Sequence, residues 1–372
     1  MPKKPPAADA ELHKLDREIV ELLNRRAATA LAAGSAGGVD PAAVQQAVDQ
    51  NDGPLPAAAV QAVFRELLGG IRAASAPLRV AYLGPPYTYS HLAAIARFGQ
   101  SAELLPVATI ASVFEEVERG HAAYGVVPIE NSTDGRVADS LECLARGADA
   151  ERRGAPDRTA ALHASGLKPQ ASIQICGEVP LRIHHCLLGR GERSEIRRVA
   201  SKPQALSQCR NWLAAHLPGV KIEAAASSAE AASLAAAEPD TAAIAAEQAA
   251  VNHGLNVLAR NIEDNPDNVT RFAIIGPQSA KPTGRDKTSL VFEAPHEPGA
   301  LADAMAIFKR AKLNLTWIES FPIPQARGRY LFFLEFQGHS DDPPAKRAIA
   351  SLEKKSLRLV VLGSYAESTV IG

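Results

Sequence analysis

Aromatic residues make up only 5% of the 372-residue chain, too few to build the stacking platforms on which nucleobases lie. Charge of one sign is lacking as well. Lys and Arg total 40 against 41 Asp and Glu, a net charge of −1, so no global field holds a polyanion or an anionic bilayer, and neither nucleic acid nor membrane is expected as a partner. The four cysteines, Cys143, Cys176, Cys186 and Cys209, show no CxxC or Cys/His finger spacing. A chain of this length needs no staples, so they read as reduced and structural. Long apolar runs are missing: the Ala-rich stretches are broken by Glu, Asp and Pro, and MPKKPPAADAELHKLD has no apolar run behind its lysines. A secretory signal and a membrane span are therefore not expected, and the expected location is cytoplasmic. What is present is an ordinary globular composition, 46% hydrophobic and 22% charged, which excludes disorder throughout and suits two or three folding units at ~100 to 200 residues each.

Residues 11 to 33 carry Leu12, Leu15, Ile19 and Leu22 at spacings of three and four, a helical stripe. After GSAGG, Asp40-Pro41 opens a short helix with Val44 and Val48. After GPLP, Val60, Val63, Phe64, Leu67, Leu68 and Ile71 mark a third helix. These helices predict a small helical hairpin or half of a helical dimer, thin for an independent core. From Pro77 the texture changes to short apolar runs, RVAYLG, YGVVPIE, IQICGEV, IHHCLLG, AAIAA and FAIIG, with helical segments between several of them. That alternation predicts an α/β domain over 77–277. Within it the polar, Gly- and Pro-containing stretch 145–170 reads as an inserted surface loop. After GPQSAKPTGRD, the segment 286–372 reads strand, helix, strand, strand, helix, strand, the ferredoxin-like βαββαβ order. Leu301, Met305, Phe308 and Lys312 form its first helical face, the lysine as a snorkelling end.

Four segments pair a strand end with polar residues: GPPYTYSH at 84–91, PIENSTDG at 128–135, SKPQALSQCRNWL at 201–213 and DNVTRF at 267–272. In open α/β sheets such loops bind small anions, because free N–H groups point at the ligand. Taken singly each has a structural explanation: Thr88 or Ser90 as a helix cap, Asn131 and Asp134 as turn formers, Gln204 as a surface residue, Arg271 as half of a salt bridge. His184 and His185 face opposite ways if they lie on a strand, and no carboxylate motif accompanies them, so core packing is expected rather than a metal site.

Together and in this order these segments resemble the prephenate dehydratase family, through YLGPPYTYSHLAA, GVVPIENSTDG, GEVPLRIHHCLL, KPQALSQCRNWL, SSAEAA, AAIAAEQAA and NVTRF. PGALADAMAIFKRAKLNLTWIES and VLGSY resemble the family's regulatory ACT domain. LDREIVELLNRR, DPAAVQQAV, NDGPLP and FREL resemble the chorismate mutase domain of the bifunctional enzymes. The resemblance implies three parts: a helical chorismate-mutase-like segment over 1–76, a two-lobed, periplasmic-binding-protein-like α/β dehydratase domain over 77–277, and an ACT domain over 286–372. It implies decarboxylating dehydration of prephenate to phenylpyruvate in phenylalanine biosynthesis, without metal or cofactor, by a homodimer or homotetramer regulated by phenylalanine. Arogenate, with an amino group in place of the keto oxygen, is the alternative substrate. A non-catalytic small-anion binding protein is the alternative of another class.

The family's essential threonine falls on Thr270, a hydroxyl able to donate to the leaving oxygen. Asn131 is its expected catalytic partner. By motif match, Thr88, Ser90, Glu130, Ser132, Ser201, Gln204, Ala205, Ser228, Arg271 and Phe272 are expected to line the substrate cleft, with Arg271 on a carboxylate. Adjacent strand residues point to opposite faces, however, which sets Arg271 against Thr270. Gly299, Ala300, Leu301, Glu319 and Ser320 hold the family's phenylalanine-binding positions.

Departures from the family pattern are informative. Pro86 and Tyr87 stand where an acidic residue and Gly are usual, Lys202 where histidine is usual, Ser228 where threonine is usual, and Phe321 where arginine is usual. In the mutase-like segment Arg26 keeps one cationic place. Asp9 sits where an arginine is expected, GSAGG replaces the lysine region, Ala43-Val44 replace an Arg-Glu pair, and Ile71 and Ser75 replace the closing polar residues. With those donors gone, loss of mutase activity is expected.

Overall fold

The computed structural model describes residues 6–33, 41–75, 77–152, 173–277, 280–323 and 329–371. The chain divides into two compact units, Met1–Arg79 with Ile95–Glu103, and Val80–Ala94 with Leu104–Gly372. In the first unit the expected helices form as α1 (Pro6–Ala32), α2 (Pro41–Asp49) and α3 (Ala57–Ser75). Val44 and Leu68 pack with Ala43, and Val60 and Ile71 are also buried. The Glu66 carboxylate accepts from the backbone N–H of Gln100 at 2.9 Å, which ties 95–103 to α3. The stripe Leu12, Leu15, Ile19 and Leu22 is exposed. GSAGG and Asp40 lie outside the described residues.

The second unit contains three sheets. The first has strand order β2 (Glu103–Val107), β1 (Arg79–Leu83), β3 (Tyr124–Asn131), β11 (Val269–Gly276), β5 (Gln174–Arg182), with β4 (Gly135–Arg136) hooked onto β3. The second runs β10 (Asn256–Ala259), β6 (Cys186–Gly189), β9 (Thr241–Ala245), β7 (Arg198–Ser201), β8 (Lys221–Ala224). Chain order therefore enters the first lobe, crosses at 183–185 into the second, and returns through 260–268 to lay β11 between β3 and β5. Buried Glu263 fastens the two crossings together: its carboxylate accepts from the His185 backbone N–H at 2.8 Å and meets His184 Nδ1 at 2.7 Å.

Alanine shapes the second lobe. Ala231, Ala232 and Ala235 of α9 (Ser228–Ala237) lie against Ala243 and Ala245 of β9, all buried. Side chains this small bring the helix close to the sheet, so a modest apolar volume closes without voids. The remaining helices are α4 (Tyr89–Phe98), α5 (Ile110–Glu118), α6 (Ala138–Arg152), α7 (Pro203–Gln208), α8 (Arg210–His216) and α10 (Glu247–His253). The inserted loop expected at 145–170 is helical as far as Arg152, where α6 ends. Residues 153–170 lie outside the described residues.

The third sheet has the expected βαββαβ order. It comprises β12 (Asp286–Glu293), α11 (Ala300–Ala311), β13 (Leu315–Pro322), β14 (Tyr330–Gln337), α12 (Pro343–Glu353) and β15 (Arg358–Ala366), with strand order β13-β14-β12-β15. Lys312 does not extend α11; it caps the helix in a left-handed conformation, φ 57°. The first-lobe core continues into this sheet, for Val291, Phe333, Leu362 and Tyr365 share one cluster with Val127, Ile129 and Ile275. Two backbone features seal the join. Gly363, φ 149°, lies so close to β5 that an added Cβ collides with the Ile175 carbonyl oxygen, and Ile371 bridges to Leu181 at the edge of β5.

Candidate active site

Strand β11 places Thr270 directly opposite Asn131 of β3. The Asn131 side chain is held by four bonds. Its Oδ1 accepts from the backbone N–H groups of Thr133 and Asp134, at 2.9 and 3.0 Å, an Asx turn that fixes which end of the amide is oxygen. The NH2 end is thereby aimed at Thr270 Oγ1 and Asn268 Oδ1, each at 2.8 Å. Since Nδ2 only donates, Thr270 accepts, and the threonine's own hydrogen is left to donate elsewhere.

From this pair a polar chain crosses into the second lobe. Asn268 Nδ2 donates to Gln208 Oε1 at 3.1 Å, and the same oxygen meets His185 Nε2 at 2.9 Å. Gln208 Nε2 donates to Asp134 Oδ2 at 2.7 Å, and Gln204 donates to the same carboxylate oxygen. The directions are mutually consistent: Gln208 spends its oxygen on two donors and its NH2 on a carboxylate, so His185 carries hydrogen on Nε2. Burial pushes the His185 pKa below the ordinary histidine value, so the ring is neutral. Behind it, the Tyr89 hydroxyl donates to the His184 carbonyl at 2.6 Å and lies 3.2 Å from His185 Nδ1. Asp134 of the first lobe thus grips α7 of the second beside a donor-bearing threonine.

A family profile for prephenate dehydratase matches residues 80–280, over half of the chain. The bifunctional chorismate mutase/prephenate dehydratase of Stutzerimonas stutzeri is 40% identical over 87% of this chain and 82% of its own. That of Neisseria gonorrhoeae is 38% identical over 94% of both. The chain belongs to the bifunctional chorismate mutase/prephenate dehydratase family. A crystal structure of prephenate dehydratase from Arthrobacter aurescens in complex with L-Phe superposes with TM-score 0.67 and 33% identity, covering 78% of this chain and 90% of that one.

Not every residue expected in the dehydratase cleft is there. Arg271 points away from Thr270, into a cluster with Glu130 (3.2 Å), Glu178 (3.5 Å) and Glu335 (2.6 Å), with its guanidinium 5.1 Å from the Trp317 ring centre. Glu130 follows it, being paired with Arg271 in register. Through Glu335 the arginine joins the first sheet to the third, and neither residue faces the threonine, because strand alternation sends neighbours to opposite sides. Phe272 is buried core, as is Ala205. Ser201 is wholly buried and its hydroxyl is consumed by the Ile244 carbonyl at 2.6 Å. Ser132 is likewise engaged, accepting from the Val269 N–H at 2.9 Å. Ser228 is buried in the first turn of α9, which Ser227 caps. Gln204 does reach the seam between the lobes, but holds Asp134. His184 and His185 lie between β5 and β6, not on a strand.

In the first loop Thr88 directs its hydroxyl to the carbonyls of Pro85 and Leu83, at 3.0 and 3.3 Å, and Ser90 is buried in α4. Tyr87 has φ 66°, the left-handed conformation for which glycine is suited. Its backbone N–H donates to His91 Nδ1 at 3.0 Å and its ring packs edge-on to the same imidazole. The tyrosine therefore keeps a glycine-type backbone and braces it with His91.

Sequence reasoning passed over Asn268 and Gln208, and took His185 for core packing and Asp134 for a turn former. All three of Asn268, Asp134 and Gln208 lie inside motifs already noticed, and the local sign that Gln208 faces the same way as Gln204 is their spacing of one helical turn.

Proposed function

We infer that the protein converts prephenate to phenylpyruvate, carbon dioxide and water in phenylalanine biosynthesis. The observation that carries this reading is the Asn131 amide, which spends a hydrogen on Thr270 Oγ1 and so frees the threonine hydrogen for the substrate. In the reaction the ring carbon–carboxylate bond breaks, its electron pair enters the ring, and the ring hydroxyl departs with one proton taken up to give water. Aromatisation supplies much of the driving force. Thr270 donates a hydrogen bond to the departing oxygen, where negative charge grows, and Asn131 holds the hydroxyl in that orientation. The Asn268–Gln208–His185 chain and Asp134 position the two lobes around it. The test is phenylpyruvate formation from prephenate at neutral pH with a Thr270→Ala control. Product abolished in the control supports the reading; product from neither protein moves the assignment to arogenate, and then to anion binding without turnover.

Residues 77–277 form the dehydratase domain in this reading, 1–76 the mutase-like segment and 286–372 an ACT domain. Loss of the mutase cations predicts no chorismate turnover, and measurable prephenate formation from chorismate defeats that statement. Phenylalanine is the proposed effector. Gly299, φ 87°, caps α11, with Ala300 and Leu301 in its first turn. Glu319 is ion-paired with Arg136 of β4 at 2.9 Å, and that guanidinium also donates to the Ser320 carbonyl and stacks over Phe321. A homodimer or homotetramer is proposed, with the exposed α1 stripe as a packing surface, in the cytoplasm.

A further inference from the structure

Prephenate is a dianion, and three arginines of the first sheet are already ion-paired. Arg271 is held by three glutamates. Arg182 is paired with Asp267 at 3.0 Å, and Arg136 with Glu319 at 2.9 Å. Lys202 differs. It stands at the carboxyl end of β7 immediately before α7, the helix whose Gln204 and Gln208 reach across to Asp134. Its ammonium has neither an acidic partner nor a hydrogen bond among the described residues, and its side chain reaches solvent. It is near enough to His185 for its charge to help depress that imidazole. Nearby protein pushes the lysine pKa down while the residue stays open to solvent, so an anionic ligand reaches the ammonium without displacing a partner.

We propose that Lys202 anchors the side-chain carboxylate of the dianionic substrate. This rests on the dehydratase reading and names the cation that reading requires. The choice of carboxylate follows from the chemistry. An ammonium on the ring carboxylate stabilises the very charge that must leave as carbon dioxide, whereas the side-chain carboxylate keeps its charge from substrate to product. A contact equally strong in ground and transition states lowers KM without raising kcat.

The experiment compares prephenate kinetics of the wild type, Lys202→Met and Lys202→Arg, with thermal midpoints of all three. Lys202→Met is expected to raise KM by about tenfold or more, the scale of one charge-assisted hydrogen bond, with kcat within about threefold and the midpoint unchanged. Lys202→Arg restores most of the affinity, and the rise of KM with ionic strength is shallower in Lys202→Met than in wild type. A KM within twofold of wild type in Lys202→Met, or a fall in kcat at constant KM, overturns the proposal while leaving the dehydratase reading intact. A wild type that forms no phenylpyruvate defeats both.

Discussion

Asn131 donates to Thr270 Oγ1 across 2.8 Å, and that end of its amide can only donate, because Oδ1 is claimed by two backbone N–H groups of its own turn. The turn thus sets the polarity of the Thr270 hydroxyl. A side chain read from sequence as a turn former forms that turn, and the catalytic role proposed for it depends on the orientation the turn imposes.

Asn131→Asp separates these roles. The carboxylate retains an acceptor for the Thr133 and Asp134 N–H groups but has no hydrogen to give, so Thr270 turns its own hydrogen inward. The expected result is a fall in kcat of about 10² to 10⁴-fold, the range for a lost proton-donating group, with circular dichroism of a folded protein. Turnover within tenfold of wild type in a prephenate assay defeats the proposed polarity.

Arg271 is a structural cation in this arrangement. Arg271→Ala leaves Glu178 and Glu335, both buried, without the guanidinium between them, which costs about 3–5 kcal/mol when a buried pair is broken. Denaturant unfolding reads the loss. A variant of unchanged stability whose KM for prephenate rises instead returns Arg271 to the substrate.

Acid stability follows from the same groups. Burial pushes the Glu335 carboxyl up, but Arg271, Lys287 and hydrogen bonds from Thr316 and Tyr365 outweigh it and hold the pKa below the ordinary glutamate value. That stability is complete above the unfolded pKa of about 4.3 and disappears as pH falls through the folded one. His185 and His91 act earlier, since burial lowers both; below about 6.5 the unfolded chain binds protons the folded chain refuses. Thermal midpoints are expected to decline from about pH 6.5 downward and to steepen below about 4.3. A midpoint constant from pH 7 to 4 contradicts this.

Periodicity carried the elements and their order, because apolar spacing of three to four or of two is a property of the chain alone. The βαββαβ order of 286–366 and the helices of 6–75 were legible that way, whereas Thr270 was singled out only by the resemblance of its motif to a known family. What tertiary structure decided was which way each polar group faces and what it meets. Strand alternation warned that Thr270 and Arg271 part company, yet only the third sheet shows why Arg271 is charged: Glu335 lies 64 residues further along the chain. Ser201 and Ser132 look like ligand donors until the Ile244 carbonyl and the Val269 N–H claim them. The Asp134 clamp joins residues 70 and 74 positions apart, and the Asn131–Thr270 bond spans 139. The first depends on how the two lobes meet and the second on which strands pair within one sheet, and no local spacing encodes either.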